Sequence, residues 1–85
     1  MEYIDIVIKN KLGFHIRPAY RIAQLAHKYQ SEIIIENCGK MANGKNIMEI
    51  LSLLAHDGSR LRFIIKGEDE GDVFRELKRF LDGNF

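Results

Sequence analysis

The sequence predicts an α+β fold in which three helices cover one face of a four-stranded antiparallel sheet, in the order β-α-β-β-α-β-α. Strand-like segments with alternating or isoleucine-rich apolar residues are interleaved with three segments whose apolar residues recur at helical spacing. Glycine-containing pairs mark tight turns between several of these segments. When strands and helices are mixed in this way, the simplest arrangement that buries their apolar faces is an antiparallel sheet covered on one face by helices.

The first half of the chain is predicted to contain one helix and three strands. Ile4, Ile6 and Ile8 lie on one side of a half-buried first strand. The apolar stripe of the first helix, near residues 17–29, consists of Ala19, Ile22, Ala23, Ala26 and Tyr29. An isoleucine-rich strand, a hairpin turn and a short return strand are assigned to residues 32–36, 37–39 and 40–42.

The second half is predicted to contain two helices and the fourth strand. Asn46 resembles an N-cap with Glu49 three residues later, an arrangement akin to a capping box that opens a short helix near 47–53. Leu61, Phe63 and Ile65 face one way along the fourth strand. The apolar stripe of the last helix, near residues 70–82, consists of Val73, Phe74, Leu77, Phe80 and Leu81.

Length and composition limit the class of protein. The chain has 85 residues, a formal charge of +1 and a single cysteine, Cys38. We expect one domain over residues 1–85 that is not held to nucleic acid or anionic lipid by bulk charge. No apolar run reaches the roughly 20 residues that span a bilayer, and residues 1–5 do not resemble a secretory signal, so we expect a cytoplasmic protein. Cys38 is expected to pack rather than to serve in redox chemistry.

The segment Leu12-Gly13-Phe14-His15-Ile16-Arg17-Pro18-Ala19 is the most informative part of the sequence. Pro18 is predicted to be the first helical residue, because its fixed φ suits that position and its missing N–H costs nothing there. His15 and Arg17 then lie at the helix N-terminus, where free backbone N–H groups and the helix dipole form an anion site. An imidazole nucleophile at such a site suggests a histidine that carries a phosphoryl group. His27 and His56 lack this context and are expected to be surface residues.

Residues 13–19 resemble the active-site signature of HPr, the histidine-containing phosphocarrier family of the bacterial phosphoenolpyruvate:sugar phosphotransferase system. Residues 39–53 resemble the second surface motif of that family, and the resemblance runs along the whole chain. It implies an open-faced β-sandwich and a phosphoryl group on Nδ1 of His15. It also implies that Arg17 and the helix N-terminus at Ile16, Arg17 and Pro18 bind the phosphate.

The same resemblance implies a phosphocarrier rather than an enzyme, with no cofactor and no metal. Such a carrier would take phosphate from phospho-Enzyme I and pass it to sugar-specific enzyme II A domains, and we expect it to be a monomer. The residues expected to contact these partners are Tyr20, Ile47, Met48 and Leu51, whereas Ile50 and Leu53 are expected in the core.

Two alternatives remain open at this point. Asn46, Glu49 and Tyr20 depart from the family pattern, which is compatible with a specialised or regulatory paralogue in a nitrogen-type phosphorelay or with one dedicated transporter. In Gram-positive relatives a kinase phosphorylates a serine at the position of Asn46, and asparagine keeps the capping ability of serine without its hydroxyl. An RNA-binding α/β module would need aromatic residues on an open sheet face and a basic stripe, but the strands are isoleucine-rich.

Overall fold

The structure is a computed structural model that describes residues 1–84. Its elements are β1 (Glu2–Val7), α1 (Ile16–His27), β2 (Glu32–Asn37), β3 (Lys40–Asn43), α2 (Ile47–Ser52), β4 (Arg60–Lys66) and α3 (Glu70–Asn84). The strands form a four-stranded antiparallel sheet in the order β1-β4-β2-β3. The predicted fold class and element order are therefore confirmed.

The helices cover the sheet face that carries the core. One cross-strand row on that face contains Ile4, Phe63, Ile35 and Ala42 in register, and all four are buried. The helices add the buried residues Ala19, Ile22, Ala23, Ala26, Ile50, Val73, Leu77 and Leu81 to the same core. Alternation in the strands and helical spacing in the helices thus predicted the buried faces, because both elements bury a single apolar side.

The first helix begins two residues earlier than predicted. Its first helical residue is Ile16 and its N-cap is His15, so the prediction that Pro18 opens the helix is wrong. The first four N–H groups of a helix have no partner inside it, so proline costs no hydrogen bond at the third position either. The helix also ends earlier, at His27, because the N–H groups of Lys28 and Tyr29 bond to carbonyls three residues back and tighten the last turn.

Cys38 is exposed, so the expectation that it packs is wrong. Cys38 and Gly39 are the two central residues of the β2–β3 hairpin, with φ angles of 49° and 86°. Two positive φ values are typical of the hairpin turn whose twist matches that of the flanking strands. A side chain in such a two-residue turn lies beyond the end of the sheet, which explains why Cys38 is not part of the core.

A polar junction joins the end of α1 to the start of α3. The Asp69 carboxylate accepts hydrogen bonds from the backbone N–H groups of Gln30 and Ser31, both at 2.9 Å, and from the Ser31 hydroxyl. These bonds, the one from the Ser31 hydroxyl foremost, hold the pKa of Asp69 below its usual range. The junction therefore fixes the turn between α1 and β2 against the beginning of α3.

Within residues 1–84, no helix combines the length and the apolar character that a crossing of the bilayer requires. The same residues contain no group of three or more histidine, cysteine or acidic side chains placed to hold a metal ion.

Candidate functional site

The loop before α1 is anchored to the core through Phe14. The Phe14 side chain is only 6% exposed, and its ring centroid lies 6.5 Å from that of Phe63. The Phe14 backbone N–H donates to the Ala55 carbonyl at 3.1 Å. A Cβ on Gly13, where φ is +60°, would lie 2.4 Å from the same carbonyl oxygen, so only glycine allows this approach. The anchored loop fixes the backbone position of His15.

His15 occupies the N-cap of α1 in an extended conformation, with φ −93° and ψ −177°. Its backbone carbonyl accepts the hydrogen bond from Ala19 N–H at 3.2 Å and so begins the helix. Its imidazole does not cap the helix and makes no hydrogen bond to any residue in the range 1–84. The ring is partly exposed, so both nitrogens remain available to an outside reactant.

Two backbone donors lie beside the imidazole. The N–H groups of Ile16 and Arg17 occupy the first turn of α1, and neither bonds to another described residue. Pro18, the third helical residue, has no N–H to offer. The Arg17 side chain is exposed and forms no ion pair within the described chain, and the first turn contains no acidic residue. The donors and the guanidinium thus remain open to an anion.

A groove between α1 and α2 begins at Tyr20, after the first turn of α1. Its lining includes Tyr20 and Met48, which are 51% and 72% exposed, together with Ile47 and His27. Leu51 and Ile47 are half-buried against the core, and Leu51 does not line the groove. Of the four residues expected to contact partners, the structure therefore brings Tyr20, Ile47 and Met48 together in the groove, and the half-buried Leu51 lies outside its lining. Ile50 and Leu53 are buried, as predicted.

The groove is closed at its far end by contacts between α1 and the loop before α2. His27 Nε2–H donates to the Lys45 carbonyl at 2.9 Å, and the Lys45 ammonium donates to the Tyr29 carbonyl at 2.9 Å. These bonds connect the C-terminal end of α1 to the loop that leads into α2. His27 and His56 are both exposed, which confirms their prediction as surface residues.

Asn46 caps α2, as predicted. Its side-chain oxygen accepts a hydrogen bond from Glu49 N–H at 3.1 Å. The second half of a capping box is missing, however, because the Glu49 carboxylate accepts from Asn43 N–H at 3.0 Å instead of from Asn46 N–H. The short helix is thus held at its start by its own side chains.

Sequence reasoning missed part of the apolar surface near His15. Ile16 and Leu54 are 67% and 70% exposed, and Leu54 directly precedes the residue whose carbonyl holds Phe14. Leu54 has φ +53°, an uncommon conformation for a branched side chain, at the end of α2. The sequence contained no signal for this turn, because leucine there is equally compatible with a longer helix.

A partly exposed, unbonded imidazole at an uncapped helix N-terminus, with an arginine beside it, is the arrangement of a histidine phosphocarrier. The family follows from sequence comparison. The sequence model of the family described as the PTS HPr component phosphorylation site matches residues 3–82. The chain therefore belongs to the HPr family of phosphocarrier proteins, as the sequence analysis predicted.

Two curated relatives illustrate the similarity. The chain is 38% identical over 78 residues to the HPr-like protein Crh of Halalkalibacterium halodurans, covering 92% of this chain and 93% of the relative. It is 32% identical over 81 residues to the phosphocarrier protein HPr of Xylella fastidiosa, covering 95% of this chain and 91% of the relative.

Solved structures agree with this assignment. HPr of Thermoanaerobacter tengcongensis has a TM-score of 0.91 at 36% identity and covers all of this chain, with 96% of that chain covered. Crh of Bacillus subtilis has a TM-score of 0.76 at 30% identity, with 93% and 91% covered, and that structure is described as a domain-swapped, intertwined dimer.

Proposed function

We propose that this phosphocarrier accepts a phosphoryl group on His15 from phospho-Enzyme I and passes it to sugar-specific enzyme II A domains in sugar uptake. The observation that supports the proposal most is the unbonded imidazole of His15, which lies beside the two free N–H groups of Ile16 and Arg17. A family carrier turns nothing over alone, so the chain acts as a phosphorylated intermediate between two partner proteins. We place this activity in the cytoplasm.

Phosphoryl transfer requires a nucleophile and hydrogen-bond donors that stabilise the negative charge on the phosphoryl oxygens. Nδ1 of the His15 imidazole attacks the phosphorus atom, the new N–P bond forms, and the bond between phosphorus and the donor breaks with its electron pair on the donor's leaving atom. The three equatorial oxygens of the phosphoryl group carry the negative charge during this step. The N–H groups of Ile16 and Arg17 and the Arg17 guanidinium are the donors that stabilise those oxygens.

The groove between α1 and α2 is the proposed docking surface. Exposed Tyr20 and Met48 supply apolar area in this groove, and Tyr20 follows the first turn of α1, the helix that His15 precedes as N-cap. A partner that covers this groove therefore brings its own reactive group towards the imidazole. The contact is expected to be small and transient, because the carrier has to leave each partner quickly. Met48→Asp should weaken docking without changing the imidazole. A binding assay with phosphorylated Enzyme I measures the loss of affinity.

The proposal is tested by incubating the purified chain with phosphoenolpyruvate, magnesium and Enzyme I, followed by intact-mass analysis. We expect the gain of one acid-labile phosphoryl group by the wild type and none by His15→Ala. Circular dichroism of both proteins is the matched control for folding, and we expect identical spectra because the His15 side chain bonds to none of residues 1–84. Phosphorylation of His15→Ala at the wild-type level would overturn the role of His15.

A second arm separates a general carrier from a specialised one. The phosphorylated chain is mixed with several enzyme II A domains, and transfer to more than one of them is the expected result. A folded chain that is not charged by Enzyme I, or that serves a single acceptor, would contradict the general role and favour a dedicated phosphorelay. Size-exclusion chromatography with light scattering decides between the proposed monomer and a dimer.

A further inference from the structure

Leu54 follows α2 and its C-cap in a backbone conformation that favours glycine. The C-cap is Leu53, and Leu54 has φ +53°. Helices commonly end on a left-handed residue at this position, and that residue is usually glycine. A residue with a Cβ atom is strained there, because the Cβ lies too close to the following carbonyl oxygen. The leucine at this turn therefore carries backbone strain that glycine would relieve.

The free protein gains little from the Leu54 side chain. Leu54 is 70% exposed, whereas its neighbours Leu53 and Ala55 are core residues that are 2% and 6% exposed. The hydrogen bond that closes the turn runs from the Leu54 backbone N–H to the Leu51 carbonyl at 3.2 Å, and any residue with an N–H group could donate it. Neither burial nor hydrogen bonding by this side chain therefore offsets the strain.

Leu54 lies at the end of α2 that is close to the start of α1. The loop before α2 contacts the other end of α1, where His27 Nε2–H donates to the Lys45 carbonyl. The loop after α2 contacts the segment before α1, where the Ala55 carbonyl accepts a hydrogen bond from Phe14 N–H. α2 therefore runs back towards the start of α1, and its end lies beside the loop that fixes the reactive histidine.

Exposed apolar surface extends beyond the groove to this end of the two helices. Ile16, on the first turn of α1, and Leu54 are 67% and 70% exposed. Tyr20 and Met48 line the groove between the same helices. A donor protein that covers the groove and also reaches the His15 imidazole has to cover the start of α1. Burial of an exposed leucine by such a partner contributes to affinity.

We propose that Leu54 is a docking residue for phospho-Enzyme I, and that this contact is what the strained turn provides. The occupant is the phosphoryl donor, whose surface beside its reactive group presents apolar area to Leu54 and Ile16. Strained backbone conformations concentrate at binding and active sites, where they serve the function of the site. The inference rests on the proposed transfer from Enzyme I to His15 and adds to it a contact outside the groove.

Three substitutions at position 54 separate the side chain from the backbone strain. Leu54→Ala keeps the strain and removes the apolar side chain, Leu54→Gly removes both, and Leu54→Met keeps both. Single-turnover transfer from pre-phosphorylated Enzyme I is measured by rapid quench as the concentration of the chain is varied. The half-saturating concentration should rise about tenfold for Leu54→Ala and Leu54→Gly, because most of a leucine contact is lost, and should stay near the wild-type value for Leu54→Met. The limiting rate should be unchanged in all three, because the imidazole and the donors of α1 are untouched.

The same variants test the strain. Leu54→Gly should raise the melting temperature by about 4 °C, which is the relief of strain less the greater conformational entropy of glycine in the unfolded chain. Leu54→Ala should not raise the melting temperature, because alanine also has a Cβ atom. Thermal melts followed by circular dichroism give both values.

Met41→Ala is the matched control for loss of exposed apolar surface. Met41 is 62% exposed on β3, and it precedes the buried Ala42, so the two side chains lie on opposite faces of the sheet. Met41 thus lies on the face away from the helices, and its removal should leave the half-saturating concentration unchanged.

Four results would overturn the inference, and they distinguish it from the proposed function. Normal charging of the wild type with an unchanged half-saturating concentration for Leu54→Ala would remove the docking role alone. An equal rise for Met41→Ala would indicate an unspecific loss of apolar surface. A lower melting temperature for Leu54→Gly than for the wild type would show that the leucine serves the fold. Failure of the folded wild type to accept phosphate from Enzyme I would overturn the proposed function and this inference with it.

Discussion

The helices α1 and α2 begin in different ways, although the residue before each has an extended backbone conformation. At the start of α2, Asn46 accepts a hydrogen bond from Glu49 N–H, and an acidic residue lies in the first turn. At the start of α1, His15 makes no capping bond, and the first turn contains no acidic residue. The start of α2 is thus satisfied by the protein itself, whereas the donors of α1 are left for an external acceptor.

The absence of a cap at the start of α1 lowers stability and leaves hydrogen-bond donors available. A good N-cap contributes about 1 kcal/mol to the free energy of unfolding, and α1 lacks this contribution. In exchange, the N–H groups of Ile16 and Arg17 stay available and the positive end of the helix dipole is not neutralised. The Phe14 side chain anchors the loop that precedes this helix start in the core.

The largest expected effect comes from giving α1 a cap of its own. His15→Ser places a hydroxyl where it can accept a hydrogen bond from the first turn, as Asn46 does in α2. We expect complete loss of phosphorylation by Enzyme I together with a gain of about 1 kcal/mol in the free energy of unfolding. Intact-mass analysis and urea titration measure the two effects. His15→Ala is the matched control, and it should lose phosphorylation without gaining stability.

The next effect concerns the charge beside the imidazole. Arg17→Glu puts a carboxylate into the first turn of α1, which stabilises the helix dipole by about 0.3–1 kcal/mol but repels the phosphoryl oxygens. Phosphorylation by Enzyme I should slow roughly 100-fold, as expected when a transition-state donor is lost, and Arg17→Gln should slow it about tenfold. Rapid-quench measurements supply the rates. If Arg17→Glu were phosphorylated at the wild-type rate, the Arg17 side chain would not be one of the groups that stabilise the phosphoryl oxygens.

A smaller effect is expected at the start of α2. Asn46→Ala removes the cap and should lower the free energy of unfolding by about 1 kcal/mol, whereas Asn46→Ser keeps a capping oxygen and should remain within a few tenths of the wild type. Neither change touches the donors of α1, although Asn46 also lines the groove between α1 and α2. The phosphorylation rate at saturating Enzyme I should therefore be unchanged in both. If Asn46→Ala abolished phosphorylation of the folded protein, the two helix starts would not be functionally separate.

The smallest effect is a pH dependence of stability at the start of α3, where the Asp69 carboxylate accepts hydrogen bonds from Gln30 and Ser31. Because hydrogen bonds lower its pKa from 3.8, its stabilising contribution is present above that value and is lost as the pH falls through the lowered folded pKa. Asp69→Asn should therefore be less stable than the wild type at neutral pH, and the difference should shrink below about pH 4. Urea titrations between pH 7 and pH 3 give this difference, which would stay constant if the carboxylate charge were irrelevant.

The sequence predicted the features that depend on local pattern. Strand alternation, helical stripes and the Asn46 cap were all recognisable because each depends on neighbouring residues. The contact of the Glu49 carboxylate with Asn43 N–H, the exposure of Cys38 and the left-handed backbone at Leu54 were not. The Glu49 contact joins α2 to the hairpin, and the other two features follow from turn geometry at single residues. Periodicity encodes neither.

The candidate site likewise contains residues that the sequence predicted and features that only the structure shows. The segment around His15 was recognised from its motif, and the structure adds that the imidazole and two backbone donors have no partner within the described chain. Sequence reasoning placed a partly exposed Leu51 on the partner surface; the side chain is half-buried against the core, and its contact with a partner stays a prediction.

The most direct test of the account is the backbone ¹H–¹⁵N spectrum before and after phosphorylation by Enzyme I and phosphoenolpyruvate. The account predicts large shifts and slower solvent exchange for the N–H groups of Ile16 and Arg17, because both gain an anionic acceptor. The Glu49 N–H, which already bonds to Asn46, should not change. Phosphorylation without any change at Ile16 and Arg17, or with its largest changes around His27 or His56, would contradict the account.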